Sequence, residues 1–301
     1  MTIIEQDLKE NIRSLLAQGV FTQKTLATRC AVSQTVISLW LKGEYTGDTA
    51  KLEAKLAEIL ELKTEQQAYT KLNLGYVTTS VSQRVFNVAK MCQLNCDIGV
   101  AYGLAGLGKT TAIRQYAKTN PGVIIIDPDE NASAKAVVED LAESLGIKNT
   151  KPRELSKEII RRLRDSGCLV IVDESENLKP MCFRTLRKFH DRCDFTFGLL
   201  FIGTGWLYRK LNLMRGDFAY LTSRVGYWEE LDELSPSDVE SLVRQALPEC
   251  SNENIHAFYQ LTQRNARTVF NTLKRVRDLQ HKYGNKLNAD IIRQAASLTR
   301  G

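Results

Sequence analysis

Apolar positions at helical spacing open the chain: Leu8, Ile12 and Leu15 share one face and predict a first helix. Thr22 stands where it can cap a short run over residues 23–29, and Cys30-Ala31-Val32 makes a turn. Ser33 is placed to cap a third helix, Gln34 to Leu41, with Val36, Ile37 and Trp40 as its apolar face and Gly43 as its stop. Leu52, Leu56, Ile59 and Leu60 stay in register along a fourth. Residues 64–78 lose the apolar period and read as a linker.

Beyond the linker, Val81, Val85 and Val88 start a helix that leads into an apolar run, Ile98 to Tyr102. The β-branched run Val123-Ile124-Ile125-Ile126 predicts a buried strand ending at Asp127. Ala134 to Leu145 predicts a helix closed by Gly146, residues 147–155 a loop, and Glu154 to Arg164 a basic helix. Strands follow at Cys168 to Val172, Phe197 to Thr204 and Ser223 to Trp228. Strands that alternate with helices indicate a mostly parallel sheet with both faces covered. Ser235-Pro236 signals a helix start, and three or four helices fill the remainder. The expected division is residues 1–63 as a small all-α domain, 64–78 as linker, 79–233 as an α/β unit and 234–301 as a helical lid.

The second and third helices resemble a helix-turn-helix of the phage-repressor type. Such a motif reads bases with the first residues of its second helix, which makes Gln34, Thr35 and Ser38 the candidate groove residues. Charge tempers this. The chain carries a net +6, yet residues 1–65 hold 8 Lys and Arg against 9 Asp and Glu, so the basic surplus lies in the remainder. A helical module that binds protein instead of DNA stays open as the alternative.

No run approaches the roughly 18 apolar residues of a membrane helix. The N-terminus has neither the basic nor the apolar region of a secretion signal. Seven cysteines in no staple-like pattern read as reduced thiols of a cytoplasmic protein. Cys92 and Cys96 lack a second pair at zinc spacing, and His190, His256 and His281 are scattered, so no structural metal site is expected.

The chemistry concentrates in Gly103-Leu104-Ala105-Gly106-Leu107-Gly108-Lys109-Thr110, which fits the phosphate-loop pattern between a strand and a helix. Gly103, Gly106 and Gly108 let backbone N–H groups approach phosphate, and the helix start at Thr110-Thr111 adds the positive end of its dipole. Lys109 is expected to reach the β- and γ-phosphates of ATP and Thr110 to hold Mg²⁺. Asp173-Glu174 ends an apolar strand in the Walker B manner, with Asp173 toward Mg²⁺ and Glu174 as the general base for water. Thr204, after the next strand, is expected to bond the water or the γ-phosphate, or else is an ordinary turn residue. Arg224 is the candidate arginine finger, acting on a neighbour's nucleotide. Arg267 is the candidate γ-phosphate sensor in cis, with Arg264 its competitor; an ordinary salt-bridge role is the alternative for Arg224, and a structural role for Arg267.

Together these motifs and the helical lid resemble an AAA+ ATPase. With the N-terminal helix-turn-helix, the chain resembles the phage Mu B transposition family and its relatives, the ATPase regulators of Tn7-like elements. The resemblance covers nearly the whole chain, and Gly43 to Asp48 after the third helix is part of it. Thr204 departs from the Asn of that family. The resemblance implies an ATP-dependent protein that forms filaments on double-stranded DNA without sequence preference, marks it as a target and recruits and stimulates a transposase. Contact with the transposase then drives hydrolysis and disassembly. A filament grips the phosphate backbone, which nominates Lys148, Lys151 and Arg153 in one group and Arg184, Arg187 and Lys188 in another, with a solvated loop or helix face as the alternative for each. Two other functions stay open: a sequence-specific transcription regulator switched by ATP, and a helicase loader or insertion-sequence helper.

Overall fold

A computed structural model describes residues 3–68, 75–130, 132–148, 151–213, 215–284 and 286–299. The chain divides into two compact units, Met1–Asn73 and Leu74–Gly301.

The first unit is four helices, α1 (Ile3–Ala17), α2 (Gln23–Cys30), α3 (Gln34–Lys42) and α4 (Thr49–Ala68). Thr22 caps α2 in a reciprocal box: its hydroxyl accepts from the Thr25 N–H at 3.1 Å, and the Thr25 hydroxyl accepts from the Thr22 N–H at 2.9 Å. Ala31 ends α2 at φ +56, and Ser33 caps α3, which Gly43 closes at φ +81. Ile12, Leu26, Ile37, Trp40 and Leu56 form the buried centre. The indole N–H of Trp40 donates to Glu53 Oε1 at 2.8 Å, so the largest side chain of this core leaves no polar group unpaired. The helix α4 runs to Ala68, which corrects the expected linker start at residue 64. Glu65, Gln66, Gln67 and Ala68 end the apolar stripe but are good helix formers, so loss of amphipathic period is not loss of helix.

The second unit begins with α5 (Ser80–Asn95), capped by Thr79, and places five parallel strands in one sheet. The strands are β1 (Ile98–Gly103), β2 (Val123–Ile126), β3 (Leu169–Val172), β4 (Gly198–Gly203) and β5 (Val225–Leu231), in the order β2-β3-β4-β1-β5. The three central strands read as near-continuous apolar runs because helices cover both faces. On the edge, β5 alternates half-buried and exposed positions and continues three residues past Trp228, the expected end of this strand.

Between the strands lie α6 (Lys109–Thr119), α7 (Ala134–Ser144), α8 (Pro152–Leu163), a 3-10 turn (Ser175–Asn177), α9 (Pro180–Arg192), α10 (Gly205–Leu213) and α11 (Arg215–Thr222). The start of α8 shortens the expected basic loop. Pro152 occupies the first helical position, where a missing N–H costs nothing, so Arg153 belongs to a helix and only Lys148 and Lys151 to the connection. The lid is α12 (Pro236–Ala246), α13 (Asn252–Leu261), α14 (Ala266–Tyr283) and α15 (Ala289–Ser297). Asp238 of α12 accepts from the Ser80 N–H at 2.6 Å and hydroxyl at 2.5 Å, which fastens the lid to the start of α5.

Candidate nucleotide-binding site

The phosphate loop leaves β1 at Gly103 and enters α6 at Lys109. Gly106 (φ +82) and Gly108 (φ +92) hold left-handed conformations that side chains disfavour, and these let the loop turn back over the helix start. Gly103 is required for space: a Cβ there would lie 2.5 Å from the Leu231 carbonyl. Lys109 is 8 % exposed, and its ammonium donates to the carbonyls of Gly103 at 3.0 Å and Leu104 at 2.7 Å. Burial pulls its pKa down, against the opposing pull of the Glu176 and Asp173 carboxylates. With three donors on the ammonium, two held by the loop leave one for a ligand.

Walker B meets the loop through one hydrogen bond. The Thr110 hydroxyl donates to Asp173 Oδ2 at 2.7 Å, and the Glu174 N–H donates to Oδ1 at 2.9 Å. Asp173 is 3 % exposed, and burial pushes its carboxyl above the ordinary range despite these two bonds. Glu174 is exposed at φ +45, and its carboxyl is also raised, first by burial and then by the Asp173 charge beside it. A raised carboxyl is the better proton acceptor for water.

Thr204 lines the same cavity at the end of β4. Its N–H donates to Glu176 Oε1 at 3.1 Å. Glu176 is a cavity residue that the sequence reading passed over. Its Oε2 is buried without a partner against Gly203, where a Cβ would stand 2.2 Å away. Lys210 holds the Glu176 carbonyl at 2.8 Å and the Leu178 carbonyl at 2.6 Å.

From the lid, Arg267 lines the cavity at the first turn of α14, and its N–H donates to the Gly106 carbonyl at 3.0 Å. Arg264 pairs instead with Glu233 at 3.3 Å and lies over the Tyr259 ring, so the two lid arginines separate. Asn265, between them, was also passed over; it donates to the Ala105 carbonyl at 2.6 Å. Its signal was a cap-type residue directly before a helix.

The structure keeps Arg224 away from this cavity. It precedes β5, and Ile98 at the start of β1 pairs with Val225, so Arg224 lies at the sheet end opposite the phosphate loop. There it pairs with Asp191 at 3.2 Å and covers the Phe195 ring. In the second basic group, Arg187 is half-buried and also pairs with Asp191, at 2.6 Å, while Arg184 lies over Tyr220 and Lys188 is exposed. Lys148 and Lys151 are exposed. In the first unit Gln34 and Thr35 are exposed and Ser38 is half-buried on the first two turns of α3.

The residues fit a magnesium nucleotide. The cavity measures about 660 Å³ and runs from Tyr76 and Val77 past the loop to Asp173, Thr204, Arg267 and Phe270. That is the size of a small-molecule site, with the apolar Val77 and Phe270 and the charged Lys109, Asp173, Glu174, Glu176 and Arg267 all in its wall. Among the described residues no group of three or more His, Cys, Asp or Glu is arranged to hold a metal ion. Magnesium bound beside a nucleotide needs fewer protein ligands, because it keeps several waters and takes phosphate oxygens. Thr110 and Asp173, joined by their hydrogen bond, are the residues whose hard oxygens would hold it.

Comparison with known proteins agrees. Residues 93–211 match the model of the AAA domain. The Mu-like prophage FluMu DNA transposition protein B of Haemophilus influenzae is 27% identical over 272 residues, covering 87% of this chain and 91% of its own. The ATP-dependent target DNA activator B of Escherichia phage Mu is 26% identical over 298 residues, 96% of this chain and 94% of its own. Among solved structures, the Aeropyrum pernix ORC2 protein in ADPNP–ADP complexes superposes with a TM-score of 0.58 at 16% identity, over 76% of this chain and 71% of its own. With its fold, its phosphate loop and these relatives taken together, the chain has the fold of an AAA+ P-loop ATPase and, over most of its length, is similar to the phage Mu B transposition proteins.

Proposed function

We propose that this protein is an ATP-dependent, non-sequence-specific double-stranded DNA-binding ATPase that assembles as a filament on target DNA and recruits and stimulates a transposase. The observation that carries the reading is the length of the similarity. It takes in 96% of the chain, the N-terminal helices included, and the matching phage Mu protein is named for ATP-dependent activation of target DNA.

In this reading Lys109 and the loop N–H groups bind the phosphates, while Thr110 and Asp173 hold Mg²⁺. The metal, when bound, neutralises charge that builds on the phosphates. Glu174 accepts the proton of the attacking water, and Thr204 orients that water. Arg267 contacts the γ-phosphate in cis. Arg224, at the far end of the sheet, acts on the nucleotide of a neighbouring copy. DNA is gripped by its backbone through Lys148, Lys151, Arg153, Arg184 and Lys188, and the first unit contributes Gln34, Thr35 and Ser38. No helix among the described residues is long and apolar enough to cross a membrane.

Electron microscopy of the full chain with random-sequence duplex DNA tests this, with ATP, with ADP and without nucleotide. Continuous filaments in ATP alone are the expected result. Discrete particles at one sequence favour the transcription regulator, and particles without DNA dependence favour the helicase loader; either outcome rejects the filament.

A further inference from the structure

One lid side chain hydrogen-bonds the phosphate loop while capping its own helix. Asn265 is the cap of α14: its Oδ1 accepts from the N–H of Arg267 at 3.1 Å and of Thr268 at 3.3 Å. The same carboxamide turns its Nδ2 the other way and donates to the Ala105 carbonyl at 2.6 Å. The fit is tight, since a Cβ on Gly106 would lie 2.4 Å from Asn265 Oδ1. On the far side the Leu234 N–H donates to the Arg264 carbonyl at 2.9 Å. Residues 264–267 are thus pinned between the segment that follows β5 and the phosphate loop.

Capping alone does not explain the amide. Ser or Asp caps a helix about as well as Asn, but neither offers an N–H donor at that reach. The donor is what joins lid to loop. Arg267 stands two residues along, with its own N–H on the adjacent carbonyl of Gly106. We infer that Asn265 is a positioning residue for nucleotide binding, whose amide fixes the first turn of α14 to Ala105 and so sets where Arg267 stands over the phosphate loop. The inference rests on the reading of Arg267 as a nucleotide contact. It also makes the coupling mutual: a ligand that orders the loop orders the lid, and the reverse.

The test is the affinity of the full chain for a fluorescent ATP analogue with Mg²⁺, read by anisotropy, in the parent, Asn265→Ser, Arg267→Ala and the double variant. Melting temperatures are taken alongside. Asn265→Ser keeps a cap and loses the amide, so it is expected to melt close to the parent and to bind about 5- to 10-fold more weakly, the worth of one hydrogen bond. The double variant is expected to bind no more weakly than Arg267→Ala alone, because the amide acts through that arginine. Asn265→Asp is expected to lose more than Asn265→Ser, with the excess shrinking at high salt as its added charge is screened. Asn265→Ser binding like the parent, or two losses that multiply in the double variant, overturns the inference while leaving the ATPase reading intact. A parent that binds no nucleotide overturns both.

Discussion

The Thr110 hydroxyl and the Asp173 carboxylate meet at 2.7 Å across the end of β4, the strand that separates theirs in the sheet. This bond closes the phosphate loop onto Walker B before any ligand is considered. Burial works against it: desolvation favours the neutral form of the Asp173 carboxyl and outweighs the Thr110 and Glu174 hydrogen bonds, which favour the carboxylate.

Asp173→Asn keeps an acceptor for Thr110 and removes the buried charge. A carboxyl whose folded pKa is raised stabilises the fold least once pH has passed that value. The variant's gain in melting temperature over the parent is therefore expected to grow as pH rises from about 4 toward 7. ATP hydrolysis is expected to fall at least about 10-fold. Melting curves at several pH values decide it; a gain largest in acid contradicts the assignment.

Glu176 bears on Thr204 by accepting its N–H. Glu176→Ala is expected to lower turnover by about 100-fold, the scale of a reacting group displaced by 1 Å, with the KM for ATP little changed. Glu176→Gln keeps the acceptor and is expected to recover most of the loss. If Gln is as poor as Ala, the charge matters and the hydrogen bond does not.

Arg224 and Lys109 lie at opposite ends of one sheet, so a finger role for Arg224 needs a second copy. Arg224→Ala removes a surface ion pair worth under about 1 kcal/mol to the fold, yet turnover is expected to fall about 1000-fold. Mixed with Lys109→Ala, which keeps its arginine but lacks a working loop, activity is expected to return. Two inactive proteins that stay inactive when mixed rule out action in trans.

Much of this site was readable in the sequence because its logic is local. Spacing alone marks the loop from Gly103 to Thr110, and Thr22, Ser33 and Ser235 announce helix starts through bonds within three residues. Pro152 was an equally local sign of α8. Asn265 and Glu176 are different. Their partners are backbone groups 160 and 28 residues away, and a backbone N–H or carbonyl has no letter in a sequence. The strand order was hidden for the same reason. Nor did composition reveal that Arg187 is half-buried on Asp191, unlike its exposed neighbour Lys188.

That difference makes a prediction for DNA. Lys151→Ala with Arg153→Ala is expected to weaken duplex binding and to reduce the slope of log affinity against log salt by about 2, near 0.9 for each lost phosphate contact. Arg187→Ala is expected to leave the slope unchanged, because its charge is already met by Asp191. Filter binding across a salt series reads both; an unchanged slope in the first variant removes that segment from the DNA surface.

The pairing of β1 sets an order of events during synthesis. Ile98 finds its neighbours in Leu199 and Val225, about a hundred or more residues further along the chain. As the polypeptide emerges from the ribosome, β2 and β3 can pair early, but the strand that carries the phosphate loop waits with both edges open until β4 and β5 arrive. The nascent chain therefore gains its grip on nucleotide late, after β4 and β5 have emerged, and a truncated product that stops before β4 has the motif without the site.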